Sequence, residues 1–167
     1  MTIKINYSNK TSSKSSINLV LFTEENFNIN GLKKYFSNAE FFYISDLLKN
    51  SDLKKNLLFF EVNSKKTIFL ISIKNKLDTS DIESLGAEFH GYINYNKKSE
   101  YFVNSDSISS KYENFIGCFL HGLKLKSYEF NIYKSKKTSK IILINIIGNK
   151  NKTTIQNELR FKAIEEG

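Results

Sequence analysis

"KIILINIIG", residues 140–148, is the most apolar stretch of the chain, and it constrains the fold more than any other. Its β-branched run, closed by Gly148, reads as a buried strand. Three other segments resemble it. "INLVLF" at 17–22 is a compact apolar run, also read as a buried strand. "NLLFFEV" at 56–62 and "KTIFLISI" at 66–73 are separated by "NSKK", which predicts an antiparallel hairpin. Two weaker strands are predicted from "TIKINY" at 2–7 and "SEYFVN" at 99–104.

Helical spacing lies between these runs. "LDTSDIESLGAEFHGYI" at 77–93 carries a start signal, with Thr79 or Ser80 expected to cap and Asp81 and Glu83 suited to a first turn. Ile82, Leu85, Phe89 and Ile93 follow one face. A second helix is predicted over roughly 107–126, with Tyr112, Phe115, Ile116, Phe119, Leu120 and Leu123 on one broad face. A short helix is expected at 31–36, a turn-rich and only partly helical link at 44–55, and a charged helix at 152–166. Interleaved strands and helices predict an α/β domain: a mixed sheet with helices on its faces. At 167 residues, with 14 Phe and 9 Tyr, the chain can fill one real core.

Composition narrows the partners. The net charge is +8, yet all but one of the 25 basic residues are lysine, the exception being Arg160. Bidentate phosphate grip and base reading favour arginine. The charge therefore reads first as a solvated lysine surface, with a nucleic-acid patch as the alternative, most concentrated in "YKSKKTSK" at 133–140. No apolar run approaches the ~20 residues of a membrane span. "MTIKINYSNK" lacks the apolar core of a secretory signal, and a single cysteine forms no internal disulfide. A cytoplasmic setting without membrane association is the expectation.

Chemistry-bearing residues are sparse. Cys118 and His121 stand three apart, but zinc needs three or four ligands, and Cys118 sits among Ile116, Phe119 and Leu120 as packing. His90 is the only other histidine. No glycine pair forms a phosphate-cradling motif, and Gly117 and Gly122 read as close-packing positions. The carboxylates Glu24-Glu25, Asp78/Asp81 and Glu165-Glu166 lack an apolar setting for acid–base work. No catalytic, cofactor-binding or metal-binding residue is assigned.

One segment remains. "GLKLKSYEFNIYKSKK" at 122–137 follows a helix and precedes the apolar strand, and the chain ends in "RFKAIEEG". The pattern Gly122, Leu125, Tyr128, Phe130, Tyr133, Lys134, Ser135 resembles a segment of the N-terminal domain of the leucyl (cytosol) aminopeptidase family. The family also has a stretch similar to residues 44–60 and a linker helix ending in Glu-Gly, as Glu166-Gly167 does here.

The resemblance implies a macro-domain-like α/β fold over residues 1–150 and the start of a linker helix over 151–167. It implies a parent hydrolase, a metalloprotease that releases N-terminal residues from peptides with two divalent metals, zinc or manganese. Those metals would belong to a catalytic domain absent from this chain, since none of the family's catalytic residues or metal ligands has a counterpart here. The chain would then be an accessory domain. Its partners would be the catalytic domain of the same polypeptide and further copies in a hexamer.

Tyr128, Phe130 and Tyr133 are expected to pack from an extended crossing segment under the sheet edge, with Lys134 in a solvated turn. On the terminal helix, Ile155, Leu159 and Ala163 would pack on the sheet. Phe161 and Ile164 point elsewhere and are candidates for an interdomain contact. A stand-alone module for nucleic acid or a nucleotide-like ligand is the competing function; DNA binding occurs among some bacterial members of the family, and ADP-ribose binding among macro-like domains.

Overall fold

Six strands form one mixed sheet: β1 (Thr2–Ser8), β2 (Asn18–Thr23), β3 (Leu57–Glu61), β4 (Thr67–Ser72), β5 (Glu100–Asn104) and β6 (Ile141–Ile147). The structure is a computed structural model, and it describes residues 1–8, 18–108, 114–133 and 140–148, with side chains as far as Tyr128 in the third of these helical and loop segments. Strand order is β1-β6-β5-β2-β4-β3. All neighbours are parallel except β3, which joins β4 as the expected antiparallel hairpin.

Three helices complete the described fold: α1 (Asn38–Lys49), α2 (Thr79–Tyr95) and α3 (Phe115–Tyr133). Parallel strands are normally covered on both faces, which is why β2 and β4 are apolar at nearly every position rather than alternating. On one face, Phe22, Phe69, Tyr101 and Ile144 meet Phe89 of α2 and Phe119 of α3. On the other, Leu19, Leu21, Ile68 and Leu70 meet Ile44 and Leu48 of α1 and the 3-10 turns at Glu25–Phe27 and Asn30–Tyr35. A polar row pins the register of the β1 side: Asn6 donates to Asn145 Oδ1 at 3.3 Å, and Asn145 donates to Glu100 Oε1 at 2.8 Å.

Four expectations need correction. The 44–55 link is mostly the second half of α1, which begins at Asn38 because Ser37 and Glu40 form a reciprocal capping box. Ser37 Oγ accepts from Glu40 N at 3.2 Å, and Glu40 Oε2 accepts from Ser37 N at 3.0 Å. The cap of α2 is Asp78, one position before the expected Thr79, because its carboxylate accepts from Asp81 N and Asp81 returns the bond. The third concerns α3. It starts at Phe115 and runs through Tyr133, so Tyr128, Phe130 and Tyr133 lie on a helix and not on an extended crossing segment. Nothing between Gly122 and Tyr133 breaks a helix: there is no proline, and Leu125, Lys124 and Lys126 favour one. The 31–36 helix is a 3-10 turn at Asn30–Tyr35. The expected helix at 152–166 lies outside the described residues.

Two helices cross at unusually close range. A Cβ on Gly86 of α2 would lie 1.9 Å from the Phe119 carbonyl oxygen of α3, and one on Gly122 would lie 2.0 Å from the Glu83 carbonyl oxygen of α2. Each glycine admits the other helix's backbone. The same approach brings His121 Nδ1 to 2.8 Å from Glu83 Oε1.

Lys66, in the hairpin turn, reaches across to Glu40 of α1 at 2.9 Å, their side chains 11% and 16% exposed. Burial pushes the Glu40 carboxyl up, but hydrogen bonds from Lys66 and Ser37 and the lysine charge outweigh it, so the carboxyl sits below its ordinary range. Because the folded value is depressed, the pair's contribution is complete above the unfolded value of 4.5 and is lost as pH falls below it. Glu40→Gln is therefore expected to lower stability by about 2 kcal/mol at neutral pH. The difference from wild type should shrink steadily under acid, as urea unfolding at a series of pH values would show.

Candidate functional site

Strands β2, β4 and β5 are parallel, so their C-terminal ends meet at one side of the sheet. After β2 the chain passes to α1 on one face. After β5 it passes to α3 on the other. Neighbouring strands whose connections diverge leave a crevice between them, the usual ligand position in open α/β sheets. Here it is a cleft of about 250 Å³, lined by Phe22 and Thr23 of β2, Glu24, Asn28, Gly31, Lys74 and Ser107 among others.

Its walls are held by local hydrogen bonds. Ser107 Oγ accepts from Phe22 N at 2.9 Å and donates to Asn104 O at 2.7 Å, tying the loop after β5 to β2. Asn75 donates to Glu25 Oε2 at 2.9 Å, tying the loops after β2 and β4. At the β6 end, Ser105 Oγ donates to Ile147 O at 3.0 Å. Gly148 turns with φ +119°, where a Cβ would meet Ser105 Oγ at 2.6 Å. Asn26 and Phe27, in the turn between the lining residues Glu24 and Asn28, both hold left-handed backbone, at φ 60° and 55°. For an aromatic residue that conformation is strained, and the buried Phe27 ring holds it in place.

The cleft offers hydroxyls, amides, one carboxylate (Glu24) and one ammonium (Lys74) around an apolar floor. That is a set for orienting a small polar molecule. Among the described residues no group of three His, Cys, Asp or Glu converges on a point that could hold a metal. Sequence reasoning missed this site because its lining comes from four separated segments with no shared motif. The one available signal was the set of strand ends itself.

Apart from Glu24, which lines the cleft, the residues singled out from the sequence lie elsewhere. Cys118 is buried in α3, where burial, and then the Glu83 carboxylate, pushes its thiol up and away from reactivity. His121 pairs with Glu83 rather than with Cys118. His90 is buried in α2, and burial, then the charges of Lys126 and the N-terminus, lowers its pKa. Tyr101, in the aromatic core, is pushed by burial up to about 12.

Gly122 is the helix-crossing glycine. Tyr128 does not pack under the sheet edge: it is 58% exposed on the outer side of α3, and Leu125, one turn before, is 44% exposed. Phe130 and Tyr133 continue the α3 backbone, and their side chains lie outside the described residues, as do Lys134, Phe161 and Ile164 entirely.

The sheet order, the antiparallel edge hairpin and the helices on both faces define a single α/β domain built on a mixed six-stranded sheet. No protein-family model and no curated protein matches the chain. Among solved structures it is similar to a tomato leucine aminopeptidase mutant, at 14% identity and a TM-score of 0.63. The match covers 96% of this chain and 36% of that one. At that identity the likeness is one of fold, and the chain spans about a third of the neighbour's length. No helix among the described residues is long and apolar enough to cross a membrane.

Proposed function

We propose that this chain is a non-catalytic accessory domain of an aminopeptidase-related protein, serving its assembly and access to its active site. The observation that carries the reading is the fold likeness along 96% of the chain to part of a leucine aminopeptidase. The pattern from Gly122 to Ser135 adds to it. On this reading the chemistry, with its two divalent metal ions, belongs to a catalytic domain that these residues do not include. The purified chain is expected to hydrolyse no aminoacyl amide and to retain no stoichiometric zinc or manganese after gel filtration. Metal-dependent turnover, or one tightly held metal per chain, would overturn the reading. Sequencing the gene beyond Gly167 is the direct complement: the reading requires a metallopeptidase domain in the same frame.

The cleft at the ends of β2, β4 and β5 favours one second reading, a binding module for a nucleotide-like ligand. Saturable binding of ADP-ribose that is weakened by Lys74→Ala would support it. For nucleic acid, a DNA titration at two salt concentrations decides. Weak binding abolished by moderate salt is what a merely lysine-rich surface produces.

A further inference from the structure

Asn30-Gly31 is the one Asn-Gly pair in the chain. It forms the corner of a turn from Ile29 to Leu32, closed by Leu32 N donating to Ile29 O at 2.9 Å. Ile29 and Leu32 are buried, whereas Asn30 and Gly31 are both exposed. The buried ends anchor the turn and present its corner to solvent.

An asparagine side chain is lost when the next backbone N–H attacks its amide carbon. Both groups are unengaged here. The Asn30 side-chain amide makes no hydrogen bond among the described residues, while its backbone N–H donates to Asn28 Oδ1 at 3.1 Å. Gly31 N comes too early in the 3-10 turn that begins at Asn30 to have an acceptor within it, and no other acceptor meets it among the described residues. Glycine also lets the peptide plane between residues 30 and 31 rotate toward the side chain, which a Cβ would hinder.

The three Asn-Ser pairs, the next most reactive kind, are each tied down. At Asn50-Ser51 the attacking group is occupied, Ser51 N donating to Leu48 O at 3.2 Å. Asn63 Oδ1 accepts from Lys65 N and Lys66 N at 2.8 and 2.9 Å. Asn104 is buried, and its Oδ1 accepts from Asp106 N at 2.9 Å.

We propose that Asn30-Gly31 is a deamidation site whose isoaspartate product loosens the Ile29–Leu32 turn. Gly31 N attacks Asn30 Cγ, and the new N–Cγ bond closes a succinimide ring. The Cγ–Nδ2 bond breaks, and the proton from Gly31 N leaves with Nδ2 as ammonia. Water then opens the ring. Opening at Cγ gives aspartate; opening at the backbone carbonyl gives isoaspartate, whose chain runs through Cβ and Cγ. No atom is oxidised or reduced. Either product places a carboxylate next to Gly31, a lining residue of the cleft that already holds Glu24. Isoaspartate also lengthens the backbone between two buried anchors. The proposal stands independently of the aminopeptidase reading.

Incubating the purified chain for weeks at mildly alkaline pH, then weighing its tryptic peptides, tests it. The peptide 15–33 should gain about 1 Da, the difference between amide and acid. Fragmentation should place the gain at Asn30 rather than at Asn18, Asn26 or Asn28. Gly31→Ala should slow the gain about tenfold, because its Cβ hinders rotation of the peptide plane. That Cβ would meet nothing within 4 Å, so the fold is kept, and circular dichroism checks this. The isoaspartate chain, separated by its charge, should unfold at lower urea than the unmodified one. Asn30→Asp, which adds the charge without lengthening the backbone, should unfold with wild type. No mass gain, a gain mainly at another asparagine, or a Gly31→Ala chain that converts as fast as wild type would overturn the proposal. So would an isoaspartate chain as stable as the unmodified one.

Discussion

Replacing Gly122 by alanine is expected to lower the unfolding free energy by about 3 kcal/mol, the range of a severe overpacking change. The added methyl would stand 2.0 Å from the Glu83 carbonyl oxygen and 2.7 Å from its Cα, which are backbone atoms that no rotamer change can move aside. The helices must separate, and Phe119 and Leu123 then lose contact with Phe89 and Leu85 across the same seam. Alanine's better helix propensity returns only about 1 kcal/mol. Gly86→Ala should behave alike for the reciprocal reason, a 1.9 Å approach to the Phe119 carbonyl oxygen. Because both changes open one seam, the double variant should fall short of the sum of the singles. Urea unfolding of the three variants measures this. A Gly122→Ala chain as stable as wild type would show that the two backbones are not in contact.

Phe89→Ala should cost about 4 kcal/mol. The ring is fully buried and lies at the junction of three others, with centroids 5.7–5.8 Å from Tyr101, Phe69 and Phe119. The first two meet it edge to face, a favourable geometry for aromatic quadrupoles. Truncation leaves a void walled by rigid rings from α3, β4 and β5, so little collapse can offset it. Phe89→Leu should recover about half the loss. Tyr95→Ala, on the same helix but 90% exposed, should be close to neutral in the unfolding transition and serves as the control.

Much of this architecture is written locally. The β-branched run at 141–147 is a strand at any position in a sequence, and the turn "NSKK" between two apolar runs makes a hairpin without outside help. The helical spacing from Ile82 to Ile93 fixes which side of α2 is buried. What could not be read locally is of two kinds. Helix limits depended on side-chain bonds only a few residues long, such as Ser37 with Glu40, and on the absence of any breaker after Gly122, so that a segment rich in aromatics stayed helical. The cleft depended on long-range order. Thr23, Lys74 and Ser107 are neighbours because β2, β4 and β5 end on the same side, and no short-range rule specifies that.

The sequence by itself determined the α/β class, the apolar strands, the hairpin and the buried faces of two helices, because these follow from periodicity within a dozen residues. Only the tertiary structure decided strand order, the close crossing of α2 and α3 at Gly86 and Gly122, and the left-handed turn at Asn26 and Phe27. It also decided that β3 is the edge strand beside β4 among the described residues. Each of these depends on what the rest of the chain places opposite a residue, and backbone hydrogen bonding and close packing are satisfied only between segments far apart in sequence.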